Sequence, residues 1–143
     1  MAIQHLRPYY LVDTSALARR RQGAVAERLD PLLEAGLVAR CSPTDLEAGY
    51  RARSAEDFRR IRDERTAWPF VDIDQAVLDR AVEVQGALAA RGLHRSAPIP
   101  VLVIAAAAEA AALVVLHYDR DYERIAGVTG QPMEWIVPAG SAD

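Results

Sequence analysis

A chain of 143 residues, 51% hydrophobic and 26% charged, has the length of one ordinary domain and enough apolar material for a core, which excludes a disordered chain. A formal net charge of −3 excludes a generally basic, nucleic-acid-coating surface, so any affinity for RNA or DNA must come from a local patch. The lone Cys41 excludes an internal disulfide and a Cys-based zinc site.

Strand-like and helix-like segments alternate along the chain, with no repeat and no linker. Met1 to Pro8 lacks the apolar core of a signal peptide. Tyr9–Asp13 reads as a first strand, and Thr14 or Ser15 can cap a following helix that carries Arg19-Arg20-Arg21. A helix over Ala24–Ala35 stops at Gly36, and Leu37–Cys41 is a short second strand with Cys41 buried. Thr44 opens a helix to about Ala52, and Ser54 opens another over Ala55–Arg65. Trp68-Pro69-Phe70-Val71 is extended. Asp74 then caps a helix over Gln75–Arg91, whose Val77, Ala81, Val84 and Leu88 lay one apolar stripe toward a sheet. Gly92 ends it. Pro100 starts a helix through Ala112, Leu113–His117 is the most apolar strand, and Glu134–Val137 is an edge strand. Gly127 and Gly130 read as turns, and residues 138–143 as a loose tail after one domain spanning 1–137.

This alternation predicts an α/β fold of three layers, α/β/α, around a mostly parallel sheet of about four or five strands. The apolar stretch Ala97–Leu116 raises the question of a membrane span, but Pro98, Pro100 and Glu109 interrupt it. A spanning helix needs ~20 uninterrupted apolar residues. A buried helix running into a buried strand fits better, and the expected location is cytoplasmic.

The chemistry lies where the apolar runs end. In open α/β sheets ligands bind beyond the carboxyl ends of the strands, and both Asp13 and Asp119 fall there. Glu47, on the helix after the second strand, can lean into the same crevice. Like charges so close repel, a pair at 4 Å by ~4 kcal/mol at a surface-like dielectric, so their proton affinities rise or a cation neutralises them. Oxygen-only ligands favour Mg²⁺ or Mn²⁺, which can activate water and stabilise charge developing at phosphorus. Each acid also has a plainer reading. Asp13 can be a helix N-cap, Glu47 can close a capping box with Thr44, and Asp119-Arg120-Asp121 can be a polar turn. The Arg-rich stretch from Arg51 to Arg65 is either a solvated, ion-paired helix face or a rim that guides RNA phosphates, and Arg19-Arg20-Arg21, close to Asp13, can do the same. His5, His94 and His117 share no metal-ligand spacing. An aspartyl-phosphate-forming phosphatase using Asp13 stays open as a weaker alternative.

Five stretches carry a resemblance: Leu11-Val12-Asp13-Thr14-Ser15, Ser42-Pro43-Thr44-Asp45-Leu46-Glu47, His94 to Pro100, Ile104-Ala105-Ala106, and His117 to Glu123. In this order and spacing, over about residues 9–126, the chain resembles the PIN-domain ribonucleases of the VapC toxin type. The resemblance implies a Mg²⁺-dependent endoribonuclease, the toxin of a type II toxin–antitoxin pair. Asp13 and Asp119 would be metal ligands, Glu47 a third catalytic acid, Ser15 a support and Asp121 an accessory. It also implies a cognate antitoxin gripped by helices of the Arg-rich region, an RNA substrate, a homodimer and a toxin–antitoxin hetero-oligomer, with no membrane. One position departs from the family. Where the helix after Pro98-Ile99-Pro100 normally begins with a metal-ligating Asp, this chain has Val101. The expectation is therefore an impaired nuclease, with a non-catalytic module that binds antitoxin in a DNA-bound repressor complex as the alternative.

Overall fold

Side chains of the sheet divide between two faces. In the computed structural model, which describes residues 8–143, β1 (Tyr10–Val12), β2 (Val38–Ala39), β3 (Val114–His117) and β4 (Met133–Trp135) form one sheet. Their order is β2-β1-β3-β4 and every pairing is parallel. Leu11, Ala39 and Val115 enter one hydrophobic cluster, while Val12, Val38 and Leu116 enter another. That is the two-residue alternation of a strand. Both faces are covered, which is why β1, β2 and most of β3 are apolar, while the edge strand β4 carries Glu134.

The first cluster is closed by α5 (Gln75–Ala89), α6 (Ile99–Ala110) and α7 (Asp121–Thr129), the second by α1 (Thr14–Leu17), α2 (Gly23–Glu34) and the chain beyond β4. Three layers and a parallel sheet agree with the reading from sequence, at four strands. Val77, Ala81, Val84 and Leu88 of α5 are all buried, as their spacing requires. No helix among the described residues is long and apolar enough to cross a membrane. The reading of Met1 to Pro8 falls almost wholly, and that of His5 entirely, outside the described residues.

Local expectations fail at four places. Of the two readings of the first cap, Asp13 rather than Thr14 or Ser15 is the N-cap of α1, and α1 is a single turn, so Arg19-Arg20-Arg21 lie in the turn after it. The box from Thr44 to Glu47 does not form. Between β2 and α4 (Ala55–Thr66), helix α3 (Ser42–Tyr50) begins earlier, on Cys41, and the Thr44 hydroxyl turns back to it, accepting from the Cys41 amide at 3.3 Å and donating to its carbonyl at 2.9 Å. Glu47 is thereby released from capping. Helix α7 has no counterpart in the sequence reading, which sees turns at Gly127 and Gly130, because charges and Gly127 obscure its inward residues, Tyr122 and Ile125; Gly130 ends it at φ 72°.

The tail is docked rather than loose. Ala142 is buried, its amide donates to Tyr118 Oη at 2.8 Å, and its carbonyl accepts from Arg19 Nε at 3.0 Å and Gln22 Nε2 at 3.1 Å. Backbone groups satisfied by distant side chains hold this segment, and no hydropathy pattern announces such bonds.

A buried polar knot fixes α3 against α4. Arg65 donates through Nε to Asp45 Oδ1 at 2.7 Å and through Nη2 to Thr44 Oγ1 at 3.0 Å, with its guanidinium 5.0 Å from the Trp68 ring. Arg40 holds the other Asp45 oxygen. Asp45 thus receives two guanidinium groups, and the helix that carries Glu47 is locked in rotation.

Candidate active site

Parallel β1 and β3 are neighbours in the sheet, so both end at the same edge. The ladder runs one residue past β1, with the Asp13 amide donating to the Leu116 carbonyl at 2.9 Å, and Asp119 follows two residues after β3. α6 returns antiparallel to the strand it feeds, which sets its first turn, with Val101, at that edge too. Asp13, Glu47, Asp119, Thr14 and Val101 line one cleft of 460 Å³. Asp121 is not among its lining residues.

Asp13 is 5% exposed, and both its oxygens are held. Oδ1 accepts from Tyr122 Oη at 2.7 Å and Oδ2 from the Ser15 amide at 3.0 Å. The Ser15 hydroxyl accepts from the Tyr118 amide at 2.9 Å, so one residue braces Asp13 through its backbone and the exit of β3 through its side chain. Asp119 Oδ1 accepts from the Asp121 amide at 2.9 Å, while the Asp121 carboxylate turns to Arg124 at 2.8 Å. Asp121 therefore serves the site through its main chain. The Asp119 amide donates to His117 Nδ1 at 3.1 Å, which leaves the neutral ring its proton on Nε2.

Negative charges crowd here. Burial, then the charge of Asp13, raises the pKa of Glu47, while the Thr14 hydroxyl, Arg51 and Arg65 pull it down. Burial and then Asp119 raise that of Asp121. Tyr122 stands well above the ordinary phenol value, from burial first and from Asp13 second. The Thr14 hydroxyl leans toward Glu47 without closing a hydrogen bond of ordinary geometry, so Thr14 Oγ1 is buried and has no partner among the described residues.

Tyr122, Thr14 and Tyr118 belong to this site and were given no role in it from sequence, while Arg19 was read only as one of three clustered arginines. Only Tyr122 left a signal, lying three residues beyond Asp119 at helical spacing. Its hydroxyl meets a buried carboxylate, a charge-assisted bond worth about 1.5–3 kcal/mol. Tyr122→Phe is expected to lower the melting temperature by about 4–8 °C in scanning calorimetry.

His117 is buried, its ring 4.9 Å from Tyr122 and 5.0 Å from Trp135. Burial lowers its pKa below the ordinary 6.5, against the opposing charges of Asp13, Asp119 and Glu123. The unfolded chain then takes up the proton first, so the stability tied to neutral His117 is complete above pH 6.5 and is lost as pH falls through the folded value. Glu47 acts in the opposite sense, its contribution being present below pH 4.5 and lost as pH rises through its raised value. Melts in EDTA across this range are expected to show a smaller loss on acidification for His117→Gln than for the unmodified chain. Parallel curves would refute the assignment.

The cation that the resemblance implies meets a donor set that suits it in kind. Three carboxylates and an orphaned hydroxyl face one cleft, an oxygen-only set for a hard divalent ion. The set is incomplete in number, because no group of three His, Cys, Asp or Glu side chains among the described residues lies close enough to hold an ion jointly. Val101 occupies the wall where a further carboxylate would help to complete it.

Comparison with known proteins places this architecture. The PIN domain family matches residues 10–128. The chain is 51% identical over 134 residues to Ribonuclease VapC21 of Mycobacterium tuberculosis, covering 93% of this chain and 97% of that one. It is 48% identical to Ribonuclease VapC51 of the same species, covering 94% and 97%. Among solved structures, DNA-bound VapBC from Salmonella typhimurium superposes with a TM-score of 0.73 at 19% identity, covering 91% of this chain and 99% of that one, a likeness of fold. The chain belongs to the PIN-domain family, among its VapC ribonucleases.

Proposed function

We propose that this chain is the toxin of a type II toxin–antitoxin pair, a Mg²⁺-dependent endoribonuclease whose hydrolytic step is impaired by Val101. The observation that carries this reading is the convergence of Asp13, Glu47 and Asp119 on one cleft at the carboxyl edge of a parallel sheet. Asp13 and Asp119 would hold the ion, which when bound supplies a Lewis acid and a water of lowered pKa. Glu47 orients the attacking water, and its raised proton affinity suits it to take the proton. Tyr122 and the Ser15 amide keep Asp13 in place. The substrate is structured RNA, and the site of action is the cytoplasm.

A groove of 620 Å³ between α3 and α4, lined by Leu46, Tyr50, Phe58 and Ile61 with Arg62 beside them, suits the apolar and acidic side chains of an antitoxin segment. Leu46 and Tyr50 are 73% and 92% exposed, so this surface awaits a cover. The solved neighbours described as VapBC complexes favour a hetero-oligomer with antitoxin, and exposed apolar residues favour a homodimer within it.

The second reading is a module that binds antitoxin in a DNA-bound repressor complex and cleaves nothing. Val101 and the incomplete ligand set favour it. One experiment separates the two: incubation of total RNA with Mg²⁺ and Val101→Asp, alone and combined with Asp119→Asn. Cleavage by the single variant that vanishes in the double supports the impaired nuclease. No cleavage by either, with antitoxin still bound, supports the module.

A further inference from the structure

The three arginines after α1 have different fates. Arg20 is committed to Asp30 and Glu64, and its charge is neutralised on the surface. Arg21 is exposed and does not line the cleft. Arg19 does line it, together with Tyr118 and the three acids.

Arg19 is gripped only by neutral groups. Nε donates to the Ala142 carbonyl at 3.0 Å, Nη1 donates to the Ser15 carbonyl at 2.9 Å, and the guanidinium carbon lies 4.4 Å from the centre of the Tyr118 ring. Asp143 sits on the Tyr118 hydroxyl at 2.7 Å, and Arg19 takes part in no ion pair among the described residues. A guanidinium has five N–H donors, and these bonds engage two. Carbonyls and a π face orient the cation without cancelling its charge. A cationic fork of fixed direction beside an anionic notch is what a phosphodiester needs in order to approach carboxylates that would otherwise repel it.

We propose that Arg19 is a substrate-binding residue that holds an RNA phosphate at the mouth of the acidic cleft, and that the docked 142–143 segment is its positioning element. This rests on the ribonuclease reading and adds a role for the segment beyond β4. Ala142 holds Arg19 through its carbonyl and holds Tyr118 through its amide, so one residue fixes both the guanidinium and the ring beneath it. Release of the segment would leave Arg19 charged but undirected.

The test is binding rather than cleavage. A fluorescein-labelled 20-nucleotide RNA hairpin is titrated with the full chain in EDTA, by polarisation, at several salt concentrations. Arg19→Gln is expected to bind about 5- to 10-fold more weakly, with a salt slope smaller by about one. Arg19→Lys should fall between, since it keeps the charge and loses the fork. Arg21→Gln should stay within about twofold of the unmodified chain. Tyr118→Phe keeps the ring under Arg19 but removes the hydroxyl that holds Ala142, and it should weaken binding in the same direction as a chain ended after Val137. Equal losses in Arg19→Gln and Arg21→Gln would overturn the assignment of Arg19. Full binding by both Tyr118→Phe and the shortened chain would overturn the role of the segment. If the unmodified chain binds no RNA, the ribonuclease reading fails and takes this inference with it.

Discussion

Val101→Asp is expected to strengthen cation binding and to add a cation-dependent stability that is much weaker in the unmodified chain. Val101 is 8% exposed, belongs to the core cluster under α6 and also lines the acidic cleft. A carboxylate there is desolvated and faces Asp13 and Asp119. Without metal it should destabilise the fold by about 2–4 kcal/mol, or about 6–12 °C in melting temperature. Mg²⁺ offsets this loss, because an ion that binds only the folded chain stabilises it by linkage. Outer-shell partners of a metal alone are worth 10- to 100-fold in affinity, so a direct ligand should raise it by about 100-fold or more. Calorimetric titration with Mg²⁺ and Mn²⁺ reads the first effect, and melts with and without EDTA read the second. A variant whose melting temperature ignores Mg²⁺ would remove the reason for calling Val101 a lost ligand.

The second large effect lies away from the cleft. Arg65→Ala should lower stability by about 3 kcal/mol, or about 6–12 °C, because it strips a buried guanidinium from Asp45, Thr44 and Trp68 at once. Asp45 is 28% exposed and keeps Arg40, which places the loss at the lower end of the range for broken buried pairs. Arg65→Lys should not rescue it, since an ammonium cannot serve an Nε and an Nη2 direction together. Arg60→Ala is the control. Its pair with Asp57 is exposed on the arginine side, so it should change stability by under about 0.5 kcal/mol. The Arg-rich stretch is therefore not uniform: Arg65 is core structure, while Arg60 is a solvated ion pair.

That contrast shows where sequence reading reached its end. Arg51 to Arg65 read as one cluster because charge along a chain says nothing of which side chain turns inward. Helix α7 was missed for a related reason, its buried Tyr122 and Ile125 being spaced among Asp121, Glu123 and Arg124. Strands β1 to β3, by contrast, were legible because both faces of the sheet are covered there, which leaves apolar runs.

The order of residues alone determined that Asp13 and Asp119 stand at the carboxyl ends of strands in an α/β alternation, whereas the reading of Val101 as a departure came only from the family resemblance. The first is a property of local runs and of spacing, which a parallel sheet converts into proximity. Only the tertiary structure decided that Tyr122 secures Asp13 across 109 positions of chain, that Thr44 turns away from Glu47, and that Ala142 seats Arg19. Hydrogen bonds between distant groups depend on ångström-scale placement after packing, and no periodicity in the chain encodes them.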